Sequence, residues 1–492
     1  MEFQKDNKYV FYKTEIQCAL DWLYRIRDQK EKGWAWVQFI RPNEQNTAEV
    51  IYAFSENDEW LEENQEKIPE LAESISIWLL DTQHATITID YCWVVRALQK
   101  VRDSKWFDSY LDSNSIDNAI KVCLQWLIEN KNDNGKRAKG IGWGANPGEL
   151  SNVARTSLAV IDFQAEIDYT KKNNPEDPNI ESYQLVVDQA IEWLLSIQNR
   201  DGGWGNLDEK MITQEYQIKH NFSFMDLEYQ CDSNAASTGY AMLALKKNNK
   251  SKYDIQLRKA CEYLKKTQLE NGGWEIFTEV GIRNDERYTF RHFGTTWALQ
   301  GILVSGTADY TDEVIIHGFG YLFQLQDKNY GGWKSSPDAD NYTWATCNAL
   351  TTVRYLKTQL SDVHAELFLS IVWDWWELRK KDANYSFKIG KKIFAFNSTM
   401  ALSFCIVFSI MLTLMLFMII SIIEPGLRET SESVRKLVYS TIIVVGSVVL
   451  GLPWIVFVKN RFKSEVDGWI DSIGWVYGII TGFVLVLYQF IL

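Results

Sequence analysis

The stretch SSPDADNYTWAT (335–346) places two carboxylates, Asp338 and Asp340, two residues apart, just ahead of an apolar helical pattern. A carboxylic acid at the mouth of an aromatic cavity can protonate a substrate, and aromatic faces can hold the resulting cation. The same two acids serve as well as solvated loop residues or as caps for the helix that follows. A second cluster, ERYTFRHFG (286–294), sets Arg287, Arg291 and His292 before another helical pattern. Positive groups beside a helix N-terminus suit an anion such as diphosphate. The plainer alternative is a charged loop that balances an acidic body. Trp93, Tyr240, Trp297 and Trp344 fall on apolar helical segments. They either line a cavity for an isoprenoid or other apolar ligand or fill a core. Walker loops, Gly-x-Gly-x-x-Gly turns, His-Glu-x-x-His and Gly-x-Ser-x-Gly are absent from the sequence.

Whatever these residues do, repeated elements must position them. An apolar helix ending in a Gly-Trp turn recurs in AIEWLLSIQNRDGGWG (190–205), ACEYLKKTQLENGGWE (260–275) and GFGYLFQLQDKNYGGW (318–333). In these copies Gln198 precedes Trp204, Gln268 precedes Trp274 and Gln326 precedes Trp333. Weaker copies lie at 23–36 and 123–144. The Gly pair gives the backbone freedom to stop each helix. After each turn a second helix opens with Thr-x-x-apolar-apolar, at Thr47, Thr156, Thr238, Thr295 and Thr346; Asp90 takes that slot once. Pairing the two kinds predicts six helical hairpins, near 15–55, 70–100, 116–165, 183–247, 254–305 and 311–358. Helices apolar on two faces need cover on both. Closing six hairpins into a ring supplies it, whereas a linear solenoid needs polar caps at both ends.

The chain has 492 residues, 51 basic and 64 acidic side chains, and a net charge of −13. Residues 1–375 carry −17 and residues 376–492 carry +4. An acidic body argues against a nucleic-acid partner, which needs a basic footprint. Seven dispersed cysteines make a poor disulfide framework and point to a reducing compartment. The opening MEFQKDNKYV lacks the apolar core of a cleavable signal peptide. Ile393–Ile423, Leu437–Val458 and Ser472–Leu492 contain no charged residue. Each is long enough for a membrane-spanning helix, which takes about 20 residues. Arg379, Lys380, Lys381, Lys388, Lys391 and Lys392 precede the first run, which predicts a cytoplasmic N-terminal domain and an outside C-terminus. IVWDWWELRKK (371–381) reads as a helix at the lipid interface.

The Gln-x(3–4)-Gly-Gly-Trp turns and Thr-x-x-Ala-Leu helices resemble the α/α-toroid of squalene–hopene cyclases and protein prenyltransferase β subunits. The resemblance covers residues ~10–360 and implies an all-α (α/α)6 toroid, here followed by three transmembrane helices. It implies a structural role for Gln198/Trp204, Gln268/Trp274 and Gln326/Trp333, in which each Gln stacks on its Trp and ties neighbouring outer helices together. It also implies where catalytic groups belong. The cyclase acid lies two residues before the Thr of its helix, yet the positions before Thr346 read Tyr342, Thr343, Trp344 and Ala345. Asp340 and Asp338 are therefore out of register with the motif. Prenyltransferases hold zinc through Asp, Cys and His; IDYCW (89–93) resembles their Asp-x-Cys motif, making Asp90 and Cys92 the alternative metal ligands. The third-ligand slot holds Gly294, so no zinc or other cofactor is expected, and Asp90 reads as an N-cap and Cys92 as core. Function lives in the site rather than the fold.

Three domains follow from this reading: a toroid over 1–360, an interfacial helix and basic linker over 361–392, and a three-helix membrane region over 393–492. The leading functional expectation is a membrane-anchored cytosolic sensor, whose ring binds a small apolar ligand or a protein partner and acts on the spans. Bacterial stress and defence proteins use such a pairing. A membrane-tethered cyclase or prenyl-transferring enzyme acting on a polyprenyl chain is the second. A structural adaptor that docks a partner, or a homo-oligomer, at the lipid bilayer is the third.

Overall fold

The computed structural model describes residues 15–359 apart from 38–39, 82–84, 134–138, 214–223, 249–251, 284–285, 307–311 and 328, together with 386–389 and 392–395. The chain divides into two compact units, Met1–Val372 and Trp373–Leu492.

Within the first unit, twelve of the helices form six pairs. The first members are α1 (15–25), α3 (Ile68–Trp78), α5 (Ser113–Glu129), α7 (Asn179–Ser196), α9 (Asp254–Thr267) and α11 (Glu313–Gln324). The second members are α2 (Glu44–Ser55), α4 (Thr88–Asp103), α6 (Val153–Asn173), α8 (Ala235–Asn248), α10 (Gly294–Ser305) and α12 (Thr343–Gln359). The first set is amphipathic. In α5, Ile116, Ala119, Ile120, Cys123, Leu124 and Leu127 form one buried stripe at helical spacing. The second set is buried on every face until its C-terminal turns: all twelve residues of α2 and all twelve of α10 are buried, whereas the ends of α4 and α6 are exposed. These inner helices pack in the order α2, α4, α6, α8, α10, α12 and back onto α2, so the ring is closed and the solenoid alternative fails. Gly239 on α8 lets α10 approach closely; a Cβ there would stand 2.2 Å from the Trp297 carbonyl oxygen.

Each Gly-Trp turn is a joint with defined bonds. The Trp204, Trp274 and Trp333 backbone N–H groups donate to the Thr238, Thr295 and Thr346 hydroxyls at 3.0, 2.9 and 2.8 Å. Their indole N–H groups donate to the carbonyls of Leu194, Leu264 and Leu322 on the preceding outer helix. Trp34 and Trp143 make the same pair of bonds, to Thr47 and Leu23 and to Thr156 and Leu127. The first glycine of each strong copy, Gly202, Gly272 or Gly331, has φ of 95, 92 or 90°. It also lies against the backbone of the next outer helix, where a Cβ would sit 2.5 Å or less from a carbonyl oxygen. Both demands exclude any other residue.

The motif glutamines bridge through hydrogen bonds. Gln198 Nε2 donates to the Gly202 carbonyl at 2.8 Å and to Gln256 on α9 at 3.1 Å; Gln268 Nε2 donates to Gly272 at 2.7 Å and to Val314 on α11 at 2.8 Å. Gln326 Nε2 donates to Gly331 and, at 2.9 Å, to Glu15 on α1, which ties the last outer helix to the first. In the first repeat the buried Arg27 takes this place. It donates to the Glu70 carbonyl on α3 at 2.8 Å, to the Ser74 hydroxyl, and to the Glu70 and Glu73 carboxylates.

Two expectations are corrected. ERYTFRHFG is a strand, not a loop: β3 (Phe277–Arg283) and β4 (Glu286–His292) form an antiparallel hairpin inserted between Trp274 and α10, with Phe277 paired to His292. A two-residue pair, β1 (Asn132–Asp133) and β2 (Ile141–Gly142), precedes it in the chain. In the second unit, β5 (Ser386–Ile389) and β6 (Lys392–Ala395) form another hairpin, so Ile393–Ala395 begin as strand rather than as the start of a helix. Among the described residues no helix is long and apolar enough to cross a membrane. The rest of the three charge-free runs, and the segment 371–381, lie outside the described residues.

Candidate functional site

The N-terminal ends of the inner helices share one mouth with the Gly-Trp turns, and the β3–β4 hairpin is fastened there. Glu279 on β3 receives the Arg155 guanidinium of α6 at 2.9 Å and an amide N–H of Asn152 at 3.2 Å. The oxygen that faces Arg155, Oε2, also meets His292 Nε2 on β4 at 2.9 Å, while His292 Nδ1 lies 3.4 Å from the Tyr240 hydroxyl on α8. Burial alone pushes the Glu279 carboxyl up, but Arg155 and His292 outweigh it and hold it below its usual value. Burial pushes the His292 imidazole down, Arg155 adds to that, and Glu279 pulls the other way. A neutral ring with its proton on Nε2 satisfies both contacts: it donates to Glu279 and accepts from Tyr240.

The basic trio read from the sequence does not assemble. Arg291 is exposed while His292 is buried in the fastening just described, and Arg287 lies further along β4, where only the backbone is described. Asp338 and Asp340 are exposed in the turn between Trp333 and α12, so neither reaches the ring centre. Thr346 lies in the first turn of α12, which opens at Thr343, and its hydroxyl accepts from the Trp333 N–H. Asp90 is not the N-cap of α4. It sits in the first turn and its Oδ2 accepts from the Thr86 and Ile87 N–H groups at 3.1 and 3.2 Å. Cys92 is buried two residues on, with its thiol against Asp162, so the Asp90 and Cys92 side chains serve different partners. His84, His220 and His364 lie outside the described residues.

Below the hairpin the ring is filled by the aromatics expected on the inner helices. Tyr240 stacks on Trp297 with ring centroids 3.8 Å apart, and Tyr52 meets Trp93 edge-on at 5.9 Å. Together with Trp344 and Glu49, the residues Trp93, Tyr240 and Trp297 leave a space of about 10 Å³, enough for one water. Glu49 Oε1 accepts from Gln45 at 2.8 Å and Oε2 has no partner. Burial pushes this carboxyl up to about 8, with Gln45 and Arg96 offsetting part of the effect.

Beyond that aromatic layer, toward the C-terminal ends of the inner helices, the ring opens into a cavity of about 580 Å³. Trp93, Trp297 and Tyr52 form its floor; Arg96, Gln99, Asp162, Tyr169 and Gln300 stand in its wall. Exposed Asp103, Asp168 and Lys172 mark the rim. Arg96 Nη2 pairs with Asp162 at 2.9 Å, beside the face of Trp93. Burial pushes the Asp162 carboxyl up to about 7, against the pull of Arg96. Arg102 forms a two-pronged bond with Glu166 at 3.0 and 2.8 Å, adds Asp117 at 3.1 Å, and lies over the Tyr169 ring. Lys247 pairs with Asp168 at 3.0 Å and Lys100 with Glu56. Sequence reading missed this wall. The signal was present as polar residues three or four positions beyond each lining tryptophan, Arg96 after Trp93 and Gln300 after Trp297.

The family model of the squalene–hopene cyclase C-terminal domain matches residues 173–354, the span of the three strong Gln/Trp turns. A probable squalene–hopene cyclase of Sinorhizobium fredii is 30% identical over 121 residues, covering 25% of this chain and 16% of that protein. The squalene–hopene cyclase of Zymomonas mobilis is 24% identical over 228 residues, covering 43% and 29%. The chain thus spans less than a third of these curated relatives. Among solved structures, a type II terpene cyclase from Scytonema aligns over 73% of this chain and all of its own, at 13% identity and a TM-score of 0.43. An α-1,6-mannanase of Salegentibacter aligns over 73% and 99%, at 8% identity and 0.48. The closed ring is a helical toroid, and its residues 173–354 match the C-terminal domain model of the squalene–hopene cyclases.

Proposed function

We propose that the toroid is a ligand-binding module that senses a small molecule and passes its occupancy to the C-terminal region, which the charge-free runs anchor in a membrane. The cavity of about 580 Å³ carries this reading. Its size falls within the roughly 300–1,000 Å³ of small-molecule sites, and it combines an aromatic floor with fixed polar groups. The sequence expectation of an apolar ligand is revised, because the open half of the ring is walled by ions while the apolar half is filled.

The family match favours a second reading, a membrane-tethered cyclase or prenyl-transferring enzyme. Its chemistry requires an acid strong enough to protonate an alkene. The carboxyls at the ring centre, Glu49 and Asp162, are shifted in the opposite direction, toward weaker acids. Incubating the full chain with squalene and with geranylgeranyl diphosphate, followed by mass spectrometry, separates the readings. The binding module yields no cyclised or transferred product; a product lost in Asp162→Asn or Glu49→Gln establishes the enzyme instead.

A further inference from the structure

The reading of the ring as a binding module leaves the chemistry of its ligand open, and the wall of the cavity narrows it. An apolar chain pressed against Arg96, Asp162, Gln99 and Gln300 would displace their water and return no hydrogen bonds. An anion meets a different obstacle. The arginines of the wall are already committed: Arg96 to Asp162, and Arg102 to Glu166 and Asp117. Recruiting either for a phosphate or carboxylate would strand a buried carboxylate. The inner helices also direct the negative ends of their dipoles toward this side of the ring, which disfavours negative charge.

The neutral groups point the other way. Gln99 donates through Nε2 to the Asp162 carbonyl at 3.0 Å and to Glu166 at 3.1 Å; Gln300 donates through Nε2 to Thr352 at 2.9 Å. These bonds fix both amides on the cavity wall, and an amide oxygen can accept from a donor that enters. A hydroxyl donates to such an oxygen and accepts from a guanidinium without breaking an ion pair. Trp93 and Trp297 add apolar ring surface to the lining, with Tyr240 covering one face of Trp297 and Arg96 standing beside Trp93. We infer that the cavity takes a neutral polyhydroxylated ring compound, of mono- or disaccharide or cyclitol size, seated against the tryptophan floor and hydrogen-bonded at Gln99 and Gln300. The inference rests on the binding-module reading above.

Saturation-transfer NMR on the detergent-solubilised full chain tests it. The probes are methyl α-mannopyranoside, N-acetylglucosamine, trehalose and myo-inositol, set beside inorganic phosphate, AMP and geranylgeraniol. At least one polyol should bind at millimolar or lower concentration. Its affinity should change by less than about twofold between about 50 and 500 mM NaCl, because no net charge is engaged. Paired Gln99→Leu and Gln300→Leu substitutions should weaken it by about tenfold or more. Ala165→Trp, which adds an indole to the cavity lining and removes no charged residue, should abolish it while circular dichroism shows the helices retained. Binding of phosphate, AMP or geranylgeraniol in an Ala165→Trp-sensitive manner, with no polyol bound at about 10 mM, overturns the polyol inference and leaves the binding module standing. Failure of every probe class to bind in that manner overturns both.

Discussion

Glu49, Asp162 and Glu279 are three buried carboxyls with three different fates, decided by what each one faces. Glu279 has two cationic or polarisable partners and stays ionised; Glu49 has one neutral amide and is pushed up to about 8. The raised group has a stability consequence. Between the unfolded value near 4.5 and about 8, the folded chain holds a proton at Glu49 that the unfolded chain has released. Stability from this group is therefore complete below that window and is lost as pH rises through about 8. Glu49→Gln should remove that loss. Relative to the parent chain, its unfolding free energy in urea should gain ground between pH 6 and pH 9, by on the order of 2–3 kcal/mol. Glu279→Gln should behave otherwise, costing about 3–5 kcal/mol at pH 7 because it leaves Arg155 buried without its carboxylate. Replacing both Asp338 and Asp340 by Asn should change stability by less than about 0.5 kcal/mol, since both are exposed.

At the scale of elements, the Gly-Trp turn is the unit that makes the ring. Its four functions are assigned to four residues: Gln reaches the next outer helix, Gly supplies the left-handed turn, Trp clamps its own outer helix, and Thr receives the Trp N–H. Thr346→Val should leave the Trp333 N–H without an acceptor and cost about 1–3 kcal/mol in urea unfolding. Gln326→Leu should cost a similar amount and should loosen α1 first, seen as faster amide exchange near Glu15. Six hairpins and the ring were legible in the sequence because this unit repeats, with recognisable residues at fixed spacing. Arg27 was not legible as the first repeat's tie, because its chemistry matches Gln only through the carbonyl of Glu70 that it reaches. Nor was the β3–β4 hairpin, whose strands read as a charged insertion. Its fastening joins Arg155 and Glu279, which no local spacing brings together. The expected basic trio failed for the same reason: the strand turns Arg291 outward and His292 inward.

Across the whole toroid, one ring holds two different centres. The half beneath the hairpin is packed with Trp93, Tyr240, Trp297 and Trp344, the filled-core alternative of the two that the sequence left open. The other half is an open, ion-walled chamber, which the resemblance to cyclases gave no reason to expect. Ring closure and chemistry are separable properties: the Gln, Gly, Trp and Thr positions keep the scaffold, while positions one or two turns further along the inner helices set what enters it. The most direct test compares the full chain with Ala165→Trp by thermal unfolding in detergent, adding the polar and the lipid fractions of a cell extract separately. A binding chamber predicts that the polar fraction raises the unfolding midpoint of the parent chain and leaves Ala165→Trp unmoved. An equal shift in both proteins, or stabilisation by the lipid fraction alone, would contradict it.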